Sequence, residues 1–175
     1  NLGTVVDSIM GDLEIAIDEK SAQINVSDLP TIRGDKSQLE QLFLNLVSNA
    51  LKFQSEGVRP EVTISARDAT EEETKDILLA EEYDWTKITV SDNGIGFEQS
   101  FAEKIFAPFQ RLHGRSEYKG TGIGLAVCRR IVERHNGQIT AVSSPGKGAT
   151  FSIIIPKNSE PFGSSNNNGE AHNDA

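Results

Sequence analysis

Two asparagines and one lysine share one side of a helix predicted over residues 36–53. Asn45 and Asn49 are four residues apart, and Lys52 follows three residues later. At 3.6 residues per turn the three side chains lie on one side of that helix. Carboxamide oxygens suit a hard cation such as Mg²⁺, and an ammonium group suits a phosphate. Asparagine is a poor residue for a helix interior, so two of them favour such a site over the alternative, a solvated polar surface.

A second candidate lies where an apolar strand ends, in the run Ser-Asp-Asn-Gly-Ile-Gly-Phe over residues 91–97. Gly94 and Gly96 predict a backbone that turns sharply and lets another group approach closely. A partly buried Asp92 needs a hydrogen-bond donor, and the exocyclic amine of a base is one such donor. The alternative is an ordinary turn that Asp92 caps.

The third candidate is a glycine-rich run that opens a predicted helix and comprises Gly120, Thr121, Gly122, Ile123, Gly124 and Leu125. Free N–H groups and the positive end of the helix dipole make such a segment a phosphate-binding arrangement. No Gly-Lys-Ser/Thr follows at the position that a Walker loop requires, and no strand immediately precedes the run as in a dinucleotide fingerprint. The alternative is a flexible loop.

Apolar periodicity predicts the elements that must position these residues. Asp35 is the predicted N-cap of the second helix. Helices are predicted over residues 5–17, 36–53 and 122–135, with a helical turn inside the acidic segment 68–84, and strands over residues 24–26, 31–33, 61–67, 86–91, 138–142 and 150–155. Helices interleaved with mostly antiparallel strands predict a two-layer α/β sandwich with the helices on one face of a mixed sheet and the other face left to solvent.

Composition excludes several classes of function. The chain has 175 residues and a net charge of −9, which argues against non-specific nucleic-acid binding. Eight acidic residues stand against one lysine in residues 68–84, whereas seven basic residues stand against three acidic ones in residues 103–135, so an anion is drawn to the second region. The single Cys128 fits a reducing compartment. No apolar run approaches the 18 residues or so that a membrane span needs.

In their order and spacing, these segments resemble the ATP-binding catalytic domain of sensor histidine kinases. That domain belongs to the larger group of Bergerat-fold ATPases that also holds DNA gyrase B, MutL and the heat-shock chaperones. The resemblance covers roughly residues 1–156. It is carried by an N-box at residues 35–53, a first glycine box at 92–96, a phenylalanine box at 105–109 and a second glycine box at 120–125. Residues 109–113 and the pair Glu117-Tyr118 are especially similar to PAS-domain and phytochrome-type kinases.

The resemblance assigns a role to each matching residue at the base and metal end of the site. Asp92 would accept the adenine amino group, Gly96 would let the ring pack closely, and Gly94 would belong to the same nucleotide-binding site. Asn49 would bind Mg²⁺ with Asn45 beside it, and Lys52 would contact phosphate.

The phosphate end of the site follows from the same resemblance. Residues 98–119 would form a mobile ATP lid, which Phe106 and Phe109 pin, and Arg111 would reach the γ-phosphate. Thr150 would share a water molecule with Asp92. The triphosphate would be wrapped by backbone N–H groups of Gly120, Thr121, Gly122, Gly124 and Leu125.

The implied activity is the supply of the γ-phosphoryl group of Mg-ATP to a histidine in two-component signalling. The acceptor would lie on a separate dimerisation domain, because His113, His135 and His172 do not fit its pattern. The implied partners are that domain, the response regulator and, in the full-length protein, a second copy, whereas this fragment would be monomeric. The expected compartment is the cytoplasm, with membrane anchoring of the parent left open.

Three alternatives share the boxes: an ATPase switch, a protein-serine kinase and a nucleotide-binding interaction module without transfer activity. The ATPase branches carry a glutamate on the N-box helix to activate water, and Asn45 stands at that position here. The catalytic domain is expected over residues 1–157, with a disordered tail or linker over 158–175. The helix at residues 5–17 is either the connection to the dimerisation domain or the first helix of this one.

Overall fold

A mixed sheet of five strands forms one layer of the part of the chain that the structure describes. The computed structural model describes residues 1–77, 80–110 and 121–159. The strands lie in the order β1-β2-β3-β5-β4. β1 and β2 are parallel and the other three pairs are antiparallel. Their bounds are β1 Gln23–Val26, β2 Glu61–Asp68, β3 Trp85–Asp92, β4 Gln138–Ser143 and β5 Ala149–Pro156.

Helices form the second layer, and their ends follow local capping rules. In the described residues they are α1 Leu2–Glu19, α2 Lys36–Lys52, the single-turn α3 Glu71–Thr74 and α4 Gly124–Arg134, with short 3₁₀ turns at Ala80–Glu82, Gln99–Phe101 and Lys104–Phe106. The Asp35 side chain accepts a hydrogen bond from Gln38 N, which confirms the predicted N-cap of α2. Asn136 follows α4 in the left-handed region, the usual conformation after a helix end.

The core lies between the helices and one face of the sheet. α1 contributes Leu2, Val5, Val6 and Ile9 to the same buried cluster as the apolar stripe of α2. α1 is therefore packed as part of this fold. Alternate residues of the central strands point at the helices, including Ile64, Ile88, Val90, Phe151 and Ile153. The predicted α/β sandwich is confirmed, with helix and strand ends shifted by a few residues.

The strand predicted at residues 31–33 is wrong. These residues form no strand ladder in the structure. Instead, the backbone groups of Pro30 and Arg33 each make an isolated hydrogen bond. Leu2 N donates to Pro30 O at 3.1 Å, and Arg33 N donates to Lys157 O at 2.7 Å. The segment thus runs between the start of α1 and the end of β5 as an irregular connection.

The acidic segment crosses part of the outer face of the sheet. Arg67 and Lys87 are cross-strand partners there. The Glu73 carboxylate binds both, at 2.6 and 2.8 Å, and accepts from Thr70 N at 3.0 Å. These partners lower the pKa of Glu73, first through the Arg67 hydrogen bonds. The predicted helical turn is α3, and the outer face is only partly left to solvent.

Two buried groups join α2 to α4. His135 is 1% exposed; its Nε2 accepts from Asp35 N at 3.0 Å, and its Nδ1 lies 2.8 Å from Ile131 O. These contacts assign the Nδ1–H tautomer. Cys128 lies one helix turn from the start of α4, with Sγ 3.8 Å from Leu42 O, and burial raises the pKa of its thiol to about 12.

The folded part extends slightly beyond the predicted limit at residue 157. Ser159 is buried, and its hydroxyl accepts from Asn136 Nδ2 at 2.6 Å. Residues 160–175, which include most of the predicted tail, lie outside the described residues. No helix within the described residues combines the length and apolarity needed to cross a bilayer.

Candidate functional site

Asp92 ends β3 with one carboxylate oxygen occupied and the other open. Its Oδ1 accepts from Gly94 N at 2.8 Å and from Ala149 N at 3.2 Å. Its Oδ2 accepts no hydrogen bond from any described residue. Burial raises the pKa of Asp92, and the two N–H donors offset part of that rise. The carboxylate is thus held in place with one acceptor atom available to a ligand.

Glycines bring three backbone segments against one another around Asp92. A Cβ on Gly94 would collide with Phe53 O, one on Gly96 with Ser144 O and one on Gly148 with Asp92 O. Gly96 and Gly148 also have positive φ values of 63° and 74°. The close approaches predicted for Gly94 and Gly96 are therefore to the protein's own backbone, which builds the wall beside Asp92.

The polar side of α2 runs from Asp92 towards the start of α4. Ile95 N donates to Phe53 O at 2.9 Å, which ties the end of α2 to the first glycine box. Lys52 Nζ lies 4.6 Å from the centre of the Phe53 ring. Asn49, one turn back, is half-buried, and its side chain has no hydrogen-bond partner among the described residues. Asn45 and Lys52 are seven residues apart, about 10 Å along the helix axis.

Asn45 links this side of α2 to the second glycine box. Its Nδ2 donates to Gly124 O at 3.2 Å, and its Oδ1 accepts from Gln41 Nε2 at 3.0 Å. The Asn45 oxygen therefore already accepts one hydrogen bond, whereas the Asn49 oxygen accepts none from a described residue. The structure therefore distinguishes two asparagines that the sequence pattern treats alike.

The start of α4 presents backbone N–H groups without a side-chain cap. Ile123 is the N-cap residue and its side chain accepts no hydrogen bond. The first N–H groups of a helix have no partner within that helix, so those of Gly124 and Leu125 are available to an anion. Gly122 reaches this position with φ of 72°. Thr121, just before it, is exposed. Arg111 and Gly120 lie outside the described residues.

Of the two phenylalanines predicted to pin the lid, Phe106 is buried and Phe109 is not. Phe106 packs edge-on against Phe151, with ring centres 6.3 Å apart, and Arg129 lies 4.5 Å over its ring. Phe109 is 74% exposed with φ of 62°, although its N–H donates to Gly122 O at 3.0 Å. Within the described residues Phe109 is thus held through its backbone, and the prediction that it pins the lid remains a prediction, because most of the lid lies outside these residues.

The structure does not bring Thr150 to Asp92. Thr150 pairs with Ser91 in the sheet, and the two hydroxyl oxygens are 2.9 Å apart. Successive side chains of a strand point to opposite faces, so Thr150 lies on the other face from Asp92. The expectation of a shared water is corrected: the group from β5 that meets Asp92 is the Ala149 N–H.

Sequence reasoning missed Gly148 and Ala149 as site residues. A backbone N–H carries no residue-type signal, so nothing in the sequence points to Ala149. Gly148 could have been found from the sequence, because two glycines flank Lys147 in a hairpin turn. Such spacing indicates a positive φ or a close approach of another group to the backbone.

Comparison with known proteins identifies the family. The family described as "Histidine kinase-, DNA gyrase B-, and HSP90-like ATPase" matches residues 34–159, a range that contains all four boxes described above, while α1 and β1 precede it. The chain therefore belongs to this family of ATPase domains.

The similar proteins are kinases of the kind that the sequence suggests. The chain is 43% identical over 152 residues to the phytochrome-like protein Cph1 of Synechocystis, covering 87% of this chain and 18% of that protein. It is 37% identical over 160 residues to the adaptive-response sensory kinase SasA of Prochlorococcus marinus, covering 89% of this chain and 38% of that protein. The resemblance to phytochrome-type histidine kinases is confirmed, and the chain spans well under half of these relatives.

Solved structures confirm the fold. The nucleotide-free catalytic domain of histidine kinase ThkA matches with a TM-score of 0.68 at 24% identity, covering 91% of this chain and 96% of that one. Full-length ShkA in complex with AMPPNP matches with a TM-score of 0.68 at 24% identity, covering 89% of this chain and 30% of that one. At this identity the likeness shows the architecture alone.

Proposed function

We propose that this chain binds Mg-ATP and supplies its γ-phosphoryl group to a histidine on a separate dimerisation domain, in two-component signalling. The observation that carries the proposal is Asp92, a half-buried carboxylate with Oδ1 satisfied and Oδ2 open. Such an atom suits the exocyclic amine of adenine. The family match and a similar structure's complex with AMPPNP support the same ligand.

The phosphates would follow the polar side of α2 to the start of α4. The groups that would neutralise and orient the phosphates are Lys52 and the N–H groups of Gly122, Gly124 and Leu125. The proposal also assigns Arg111, Gly120 and Thr121 to phosphate binding. Asn49 would hold Mg²⁺ through its amide oxygen. When bound, the cation neutralises phosphate charge, which together with positioning is the main requirement of phosphoryl transfer.

In the transfer, an imidazole nitrogen of the acceptor histidine attacks the γ-phosphorus. A P–N bond forms as the P–O bond to the β-phosphate breaks, and ADP leaves. The acceptor would come from the protein's own dimerisation domain, and the phosphoryl group would pass on to a response regulator, as in a similar kinase solved with its regulator. We also propose a homodimeric full-length protein, a monomeric fragment and, because ATP is found there, a cytoplasmic site of action.

The test is calorimetric titration with AMPPNP, with and without Mg²⁺. We expect micromolar binding that weakens at least about tenfold without Mg²⁺ and is lost in Asp92→Asn, because the new amide presents N–H where the adenine amine needs an acceptor. Asp76→Asn, an exposed acid of the same charge, is the matched control and binds as the unsubstituted chain does. Absence of binding by the unsubstituted chain would contradict the proposal for this chain and favour either a degenerate interaction module or a lid that closes only beside the dimerisation domain.

Hydrolysis separates the kinase from the ATPase alternative. Asn45 is an amide engaged with Gln41 and Gly124, so it cannot activate water as a carboxylate does. We expect no ATP turnover above background from the isolated chain. Sustained phosphate release that Asp92→Asn abolishes would favour the ATPase reading.

A further inference from the structure

The Ser143 hydroxyl, at the end of β4, joins two segments of the candidate site. Its Oγ donates to Gly148 O at 2.7 Å and accepts from Phe97 N at 2.9 Å. Ser143 is 8% exposed, so neither bond is replaced by water without cost. Phe97 directly follows the first glycine box, and Gly148 directly precedes Ala149, the residue whose N–H binds Asp92.

Gln99 holds Ser143 from the open edge of the sheet. Its Oε1 accepts from Ser143 N at 2.9 Å, and its Nε2 donates to Ala141 O at 3.1 Å. The Gln99 amide therefore pairs with β4 as the peptide of another strand would. This contact fixes the backbone of Ser143 and ties the segment after the first glycine box to the edge strand.

The turn that Ser143 begins is in close contact with the carboxylate-bearing segment. Gly146 N donates to Ile95 O at 2.7 Å, and a Cβ on Gly148 would collide with Asp92 O. The Ala149 N–H to Asp92 bond, at 3.2 Å, is the longer of the two that orient the carboxylate. A small displacement of Gly148 would therefore break it first.

We infer that Ser143, held by Gln99, is a positioning residue for the adenine end of the site: its hydroxyl keeps Gly148 in place and so keeps the Ala149 N–H on Asp92. Ser143 touches no substrate in this scheme. It acts through Gly148, Ala149 and Asp92. The expected effect of Ser143 on nucleotide binding rests on the proposed function. Its effect on Asp92 does not, because it can be measured in the nucleotide-free chain.

Two readouts on Ser143→Ala test the inference. In the nucleotide-free chain, the ¹³C titration midpoint of the Asp92 carboxyl rises above that of the unsubstituted chain, because a hydrogen bond that favours the charged form is lost. AMPPNP and ADP both bind about tenfold more weakly, as expected for a lost buried hydrogen bond. If the affinities for AMPPNP and ADP fall by the same factor, the effect lies at the adenine end of the site, which the two ligands share.

Matched variants separate positioning from general stability. Ser143→Thr keeps the hydroxyl and restores both readouts, and Thr140→Ala, which removes an exposed hydroxyl from the same strand, changes neither. Gln99→Ala shifts both readouts in the same direction as Ser143→Ala but by a smaller amount. If Ser143→Ala does not fold, Gln99→Ala tests the inference in its place.

The inference is overturned if the Asp92 midpoint is unchanged in Ser143→Ala, whatever happens to affinity, or if only AMPPNP binding falls. If the unsubstituted chain binds no adenine nucleotide, the proposed function fails, and the Asp92 titration still decides whether Ser143 positions that carboxylate.

Discussion

Asp92 illustrates how a site residue can work against stability. Burial raises the pKa of Asp92 above its ordinary value, so the ionised form is disfavoured by folding. A raised pKa in a folded acid means that stability increases as pH falls through the folded pKa, and that the charge costs stability above it. The carboxylate is retained because an open, charged acceptor serves the ligand.

We therefore predict that Asp92→Asn does not destabilise the chain at pH 7. The asparagine oxygen still accepts from Gly94 and Ala149, while the cost of the buried charge disappears. Thermal unfolding should show a melting temperature equal to or above that of the unsubstituted chain. A fall of more than about 3 °C, roughly 1 kcal/mol for a domain of this size, would contradict this account.

The glycines of the Ser144–Gly148 turn provide a second prediction at this scale. Gly146 and Gly148 have nearly the same φ, 75° and 74°, but a Cβ on Gly146 meets nothing within 4 Å whereas one on Gly148 collides with Asp92 O. Gly146→Ala should cost about 1 kcal/mol, for the left-handed backbone alone. Gly148→Ala should cost about 3 kcal/mol or more and abolish AMPPNP binding. Chemical denaturation and calorimetry check the pair, and equal effects would show that the contact with Asp92 is unimportant.

Residue types indicate Asp92 and Asn49 as candidate ligand-binding residues, because a carboxylate and an amide are recognisable in the sequence as hydrogen-bonding groups. They failed for Thr150, whose hydroxyl faces Ser91 one register position away from Asp92. They also could not reveal that Asn45 and Asn49 differ, since the partner of Asn45 is Gly124, 79 residues further along the chain. Backbone donors and long-range partners leave no local pattern to detect.

At the scale of elements, the acidic segment is attached to the sheet through one side chain. Glu73 bridges Arg67 of β2 and Lys87 of β3 and closes the capping box of α3. Because these partners lower the pKa of Glu73, their contribution to stability is present above the ordinary value of 4.5 and is lost as pH falls below it.

We predict that Glu73→Gln lowers stability by about 1 kcal/mol at pH 7, the scale of a partly exposed charge network. The gap to the unsubstituted chain should shrink steadily as pH falls from 5 towards 3. Urea unfolding at several pH values measures it. Glu72→Gln is the control, because within the described residues Glu72 pairs with Lys75 alone, on an exposed surface. A gap that is independent of pH would rule out the ionised bridge as its source.

Strong periodicity predicted α1, α2, α4 and β2 to β5, because each buries one regular face. It failed at residues 31–33, where a short alternation of polar and apolar residues beside Pro30 has the pattern of a strand. Their backbone groups bond singly to Leu2 and Lys157. A short irregular segment of this kind is decided by neighbours that lie far away in sequence.

Across the whole molecule, His135 joins the beginning of α2 to the end of α4. Both ring nitrogens are engaged, and the side chain is almost fully buried. His135 is therefore unable to meet an in-line γ-phosphorus without unfolding its surroundings. This agrees with the expectation that the phosphoacceptor histidine lies on another domain.

We predict that the chain incubated with Mg-[γ-³²P]ATP acquires no acid-labile, base-stable phosphohistidine. His135→Gln should behave identically in this assay while losing stability, since it removes the neutral imidazole that accepts from Asp35. Label on any histidine of this chain would contradict the separation of catalytic and acceptor domains.

The buried thiol at the interface of α2 and α4 has a practical consequence for spectroscopy. Cys128 is the single cysteine of the chain, and at neutral pH almost none of it is thiolate. The natural sequence therefore serves as a labelling background without alteration: a maleimide dye or spin label will attach to one introduced surface cysteine and spare Cys128. The slow rate at which Cys128 itself is modified then reports how often the two helices separate, and it can be measured in the same sample.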